Sequence, residues 1–153
     1  MSSDNRVACG TCHTFAAGGG DVRRARHPGL DGIFNTPDDK FGSPGIRRSD
    51  AGNAYLADPD FGNNVQATPR AAPSFLTAAW FPELFWDGRA RTNFIDPETN
   101  QTTIPIGGAL ENQVLGPILA NNEMSHDARI WAQVISKLVA AKPMALATNL
   151  PPD

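Results

Sequence analysis

Both cysteines of this 153-residue chain fall in one five-residue stretch, Cys9-Gly10-Thr11-Cys12-His13, and no other feature limits the fold as much. The C-x-x-C-H spacing is that of c-type haem attachment. Two thiols one helical turn apart can each add to a vinyl group, while the next residue turns its imidazole toward the iron as proximal ligand. Two other chemistries use paired cysteines. A thioredoxin-like redox pair needs a strand before it and a βαβ pattern around it, and Gly18-Gly19-Gly20 does not continue such a helix. A structural zinc site needs more ligands than one cysteine pair, and no second pair exists. The expectation is therefore one covalent haem c, bound through Cys9 and Cys12 with His13 on the iron.

The length suits one domain built around a cofactor, and 14 glycines with 13 prolines imply much turn and loop. A net charge of −3 argues against a nucleic-acid or polybasic membrane-binding role. No apolar run approaches the ~20 residues that span a bilayer, and the polar first five residues contain no signal-peptide core. Because c-type haem is attached outside the bacterial cytoplasm, the expected location is the periplasm, with an export signal removed and Met1 as an expression start. The expected haem domain is 1–144, and 145–153 reads as a tail or linker remnant.

Local signals divide the rest. Arg6–Phe15 is expected as a short helix stopped by Gly18–Gly20. Residues 21–73 are dominated by turn signals such as His27-Pro28-Gly29 and Ser43-Pro44-Gly45, an irregular stretch suited to wrapping a cofactor or partner. Within it, Asp31, Asn35, Asp38 and Asp39 could offer oxygen ligands to calcium, although their spacing is not that of an EF-hand and a solvated acidic turn is the favoured account. Short helices are expected at Ser74–Trp80 and at Ala109–Leu115, the latter ended by Gly116-Pro117, with Thr92–Gly108 as an exposed loop between them. The clearest helix is Asp127–Ala141, where Ile130, Trp131, Val134, Ile135, Leu138 and Val139 form one apolar stripe behind a Ser125 N-cap.

About half the chain resembles a known family. Ala72-Pro73-Ser74-Phe75-Leu76, Ala78-Ala79-Trp80, Phe85-Trp86-Asp87-Gly88-Arg89-Ala90, Gln113-Val114-Leu115-Gly116-Pro117 and Asn121-Asn122-Glu123-Met124 follow the haem motif in order. In this the chain resembles the N-terminal, peroxide-reacting haem domain of the bacterial di-haem cytochrome c peroxidases and their MauG branch. The resemblance implies an all-α, cytochrome c-like fold with long irregular loops. It implies His13 as proximal ligand, Gln113 and Glu123 on the distal side, and Trp86 between two haems. A carboxylate such as Glu123 can carry a proton from the inner to the outer peroxide oxygen, and Gln113 can hold peroxide or water in line.

Three departures qualify the resemblance. Ala71 stands where the family has an asparagine associated with an interdomain calcium ion. Residues 50–70 contain no histidine, which suggests an open distal position or another ligand, such as Tyr55 in the manner of the MauG branch. One haem motif leaves the second oxidising equivalent to another haem domain or a separate redox protein. The function expected is reduction of hydrogen peroxide with electrons from another haem. The alternatives are a mono-haem electron carrier, with Met124, Met144, His27 or His126 as sixth ligand, and a sensor that binds a small ligand without turnover.

Overall fold

The computed structural model describes residues 2–141, and the tail and Met144 lie outside them. The haem motif occupies a single helical turn, α1 (Cys9–Cys12), instead of the expected Arg6–Phe15. The helix starts late because the Ser2 hydroxyl accepts hydrogen bonds from the backbone N–H groups of Arg6 and Val7, at 3.0 and 2.9 Å. It ends at His13, after which Gly18 and Gly19 take φ values of 66° and 80° and turn the chain back until Thr14 pairs with Gly20. Glycine adopts this left-handed conformation without the steric penalty of a Cβ.

The fold is mixed α/β, which corrects the expected all-α architecture. Three short α-helices, α1, α2 (Ala109–Leu119) and α3 (Trp131–Ala140), accompany two antiparallel hairpins among the described residues. In the first, β1 (Ala25–His27) pairs with β2 (Lys40–Gly42) in the register Ala25 to Gly42 and His27 to Lys40. In the second, β3 (Phe94–Ile95) pairs with β4 (Thr102–Ile104) inside the segment expected as an exposed loop. The Asp96 carboxylate accepts from the N–H groups of Glu98 and Thr99, building the turn between two β-prone runs.

Helical expectations fail where side chains bind the backbone locally. Ser74–Trp80 gives only a 3-10 turn at Ala78–Trp80, because the Ser74 hydroxyl accepts from Leu76 N–H and Thr77 is left-handed at φ 65°. Conversely, α2 continues through Gly116-Pro117 to Leu119; Pro117 lies in the last turn, where its missing N–H removes a single ladder bond. α3 begins four residues later than expected. Asp127 is engaged by Arg48 at 2.8 Å and Asn121 at 3.0 Å, Ala128 is left-handed at φ 56°, and the Ser125 hydroxyl is buried against the His126 carbonyl. The Gln133 side chain accepts from Ile130 N–H and caps the later start.

Ile46, Phe61, Ala67, Ala90, Ala109, Ile118, Met124 and Val134 form a small buried apolar set. Hydrogen bonds carry much of the remaining cohesion. Gln66 donates through its side chain to the carbonyls of Ile46 and Asn121, and the Thr68 hydroxyl accepts from Ser43 N–H. These bonds bring residues 43–46, 66–68 and 121–122 together. Gly45 is obligatory there, since a Cβ would lie 1.8 Å from the Asn122 carbonyl oxygen.

Candidate functional site

His13 follows α1 directly, and its ring is fixed from behind. Nδ1 lies 3.1 Å from the Gly19 carbonyl oxygen and 3.0 Å from that of Pro73. Carbonyls only accept, so Nδ1 carries the proton and Nε2 keeps its lone pair for a metal. The Gly18–Gly20 run does more than stop a helix. It delivers the Gly19 carbonyl, which also accepts from Phe75 N–H at 3.2 Å, and a Cβ on Gly19 would meet the Phe75 ring at 2.9 Å. Phe75 stands edge-on to His13, with ring centroids 6.2 Å apart.

Cys9 is exposed, Cys12 is half-buried, and both thiols are free. Burial pushes the Cys12 thiol up, while the nearby Arg23 guanidinium pulls it down. Arg23 donates to Cys12 Sγ at 3.3 Å and is itself locked onto Asp21, whose side chain is only 1% exposed. Asp21 is held below the ordinary carboxylate range, first by the Arg23 hydrogen bond. This pair was not foreseen from the sequence, where the Asp21-Val22-Arg23 spacing was its only trace.

Glu123 is half-buried, and burial raises its carboxyl above the usual glutamate range, partly offset by electrostatic coupling to His13 and to the Arg89 guanidinium. Its charge is also felt at Cys12. Glu123 therefore lies within electrostatic range of His13 and Cys12, although more than a hundred residues of chain separate them. Arg89 is aimed by Asp87 at 2.9 Å and lies over the Phe85 ring at 3.4 Å.

The residues present fit a covalent haem. They offer two free thiols one turn apart, an imidazole in the ligating tautomer, and an exposed apolar side chain, Phe75, beside that imidazole. The family model of the di-haem cytochrome c peroxidases, the MauG family, matches residues 1–148. The chain belongs to the di-haem cytochrome c peroxidase family. No curated protein matches it, and no solved structure does. Family membership implies haem c as cofactor and supports a peroxidase-type haem domain.

The other candidate peroxidase residues are placed as follows. Gln113 is half-buried on α2 and makes no side-chain hydrogen bond among the described residues. Trp86 is 85% exposed, with the Arg70 guanidinium 5.7 Å from its ring centroid. Met124 is buried in the core at 3% exposure. Tyr55 accepts a hydrogen bond from Arg6 at 2.7 Å. His27 packs against Phe61 with centroids 5.0 Å apart, and His126 is buried with Nδ1 against the Asp127 carbonyl.

The acidic turn expected as a possible calcium loop is occupied internally. Asp38 accepts from Leu30 and Asp31 N–H, while Asp39 accepts from Asn35 N–H and from Arg26. Among the described residues no group of three or more His, Cys, Asp or Glu side chains could hold a metal ion. No described helix is long and apolar enough to cross a membrane.

Proposed function

We propose that this chain is the peroxide-reacting haem domain of a periplasmic peroxidase, carrying one haem c and reducing hydrogen peroxide with electrons from a second haem domain or a small redox protein. The observation that carries the reading is the pairing of His13, fixed with Nε2 free, with a half-buried Glu123 in the same electrostatic neighbourhood. Haem, when bound, supplies the iron centre through which two electrons reach the peroxide; with two protons, these yield two waters.

The chain's own residues bind, orient and move protons. Cys9 and Cys12 would hold the macrocycle through thioethers, and His13 Nε2 would hold the iron. Glu123, with its proton affinity raised by burial, would relay a proton from one peroxide oxygen to the other, which makes water the leaving group. Gln113, with both donor and acceptor groups unengaged by described residues, orients the peroxide. Trp86, exposed on its turn, faces the electron-donating partner. In this reading neither Met124, buried in the core, nor Tyr55, bonded to Arg6, would be a permanent iron ligand.

The test is an optical and paramagnetic-resonance spectrum of the ferric haem-loaded chain, with and without peroxide. An open or weakly ligated iron perturbed by peroxide is expected. A low-spin His/Met or His/His spectrum that peroxide leaves unchanged would make the chain an electron carrier and overturn the peroxidase reading.

A further inference from the structure

Beside the residues that lead into the haem motif lies a cleft of about 310 Å³ lined by Asp4, Arg6, Val7, Ile46, Arg47 and Tyr55, among others. Its polar groups are mostly donors. Arg6 donates to the Tyr55 phenol oxygen at 2.7 Å, which leaves the phenolic proton free to point elsewhere. The Arg47 guanidinium lies 5.3 Å from the Tyr55 ring centroid and has no ion-pair partner among the described residues. Two guanidinium groups are therefore gathered about one phenol. Among the described residues lining the cleft the one carboxylate is Asp4, 4.0 Å from Arg6, and it already accepts from the Ser2 hydroxyl and Arg6 N–H. Two guanidinium groups set against one carboxylate leave a net positive charge, carried by Arg47, that favours an anionic guest, and guanidinium forks match a carboxylate best. Val7 and Ile46 give the cleft an apolar side against which a short hydrocarbon stem can lie.

We propose that Arg6, Arg47 and Tyr55 form a carboxylate-binding cleft. The carboxylate is either a propionate of the chain's own haem or that of a soluble organic acid; both present the same group on an apolar stem. Tyr55 then serves this cleft and not the iron. The inference needs only haem attachment, and stands whether or not the chain reacts with peroxide.

Tyr55 is the single tyrosine of the chain, so 3-fluorotyrosine reports on this cleft alone. The labelled haem-loaded protein is titrated with sodium acetate, using sodium chloride as the ionic-strength control. An open cleft gives a saturable fluorine NMR shift in the millimolar range that chloride does not reproduce. Arg47→Gln weakens it by about ten-fold or more, while Arg47→Lys retains part of it. If a haem propionate fills the cleft, acetate moves nothing. Arg6→Gln and Arg47→Gln instead shift the propionate bending band in resonance Raman spectra without moving the iron–His13 stretch. Both arginines are exposed, and unchanged melting curves exclude misfolding as the cause. Absence of the acetate response together with unmoved propionate bands overturns the proposal.

Discussion

At the scale of single residues, the argument turns on protons. The neutral His13 ring holds its proton on Nδ1, where two carbonyl oxygens face it, so Nε2 is left with its lone pair. His13→Ala should therefore abolish the normal haem spectrum while mass spectrometry still detects both thioether links through Cys9 and Cys12; an unchanged spectrum would mean another group is the proximal ligand. For Glu123→Gln, stopped-flow mixing with peroxide should give a rate lower by ~10²-fold or more, and equal rates would remove Glu123 from proton transfer. The same substitution has a second signature. Burial raises the Glu123 pKa in the folded state, so the folded protein binds this proton more tightly than the unfolded chain. Its contribution is fully present below the unfolded value of about 4.3 and is lost as pH rises through the raised folded value. Glu123→Gln should gain urea resistance relative to the parent at about pH 7 compared with about pH 4. Parallel shifts at both pH values would mean that the carboxyl is ordinary.

At the scale of elements, the site depends on turns more than on helices. Gly19 has φ 80° and would bring a Cβ to 2.9 Å from Phe75, while its carbonyl holds His13. Gly19→Ala should lower stability by about 1–3 kcal/mol in urea titration and shift the iron–His13 vibration, whereas Gly116→Ala, with open space around it, should do neither. Helix α3 offers a second contrast. Its apolar stripe has the expected helical spacing, yet Val134 is 2% exposed and Val139 is 83% exposed. Val134→Ala should cost about 1–3 kcal/mol and Val139→Ala under about 0.5 kcal/mol. These elements also explain what could be read in advance. The haem motif, the start of α2 at Ala109 and the end of α3 at Ala140 were legible because spacing and residue order carry them. The hairpins β1–β2 and β3–β4 were not, since Gly, Asp and Asn turn signals look the same between paired strands as in open loops. Helix starts were misplaced where Ser2, Ser74 and Asp127 bind groups that only the folded chain brings near them. The Gly19 and Pro73 carbonyls behind His13 were invisible for another reason. Backbone acceptors have no residue type to betray them.

At the scale of the whole molecule, the balance of buried and exposed apolar surface decides how the cofactor and the fold depend on each other. Among the described residues eight apolar ones make the buried set, four of them no larger than Ala or Val, while Phe15, Phe75, Leu76, Trp80 and Phe81 stand exposed at 79%, 39%, 47%, 85% and 57%. These exposed side chains lie in the segments that flank the His13 ring and its carbonyl anchors, where a planar apolar macrocycle tethered at Cys9 and Cys12 can cover them. Each fully covered side chain of this kind is worth roughly 1.5–3 kcal/mol, so covering two or three contributes several kcal/mol, a large share of an ordinary domain's stability. The haem-loaded chain should accordingly melt about 10 °C or more above the Cys9→Ala/Cys12→Ala chain, since each kcal/mol moves the midpoint of a domain this size by about 2–4 °C. Binding of an apolar dye should fall on haem attachment for the same reason. If the two forms melt together and bind dye equally, the macrocycle does not lie over these apolar side chains.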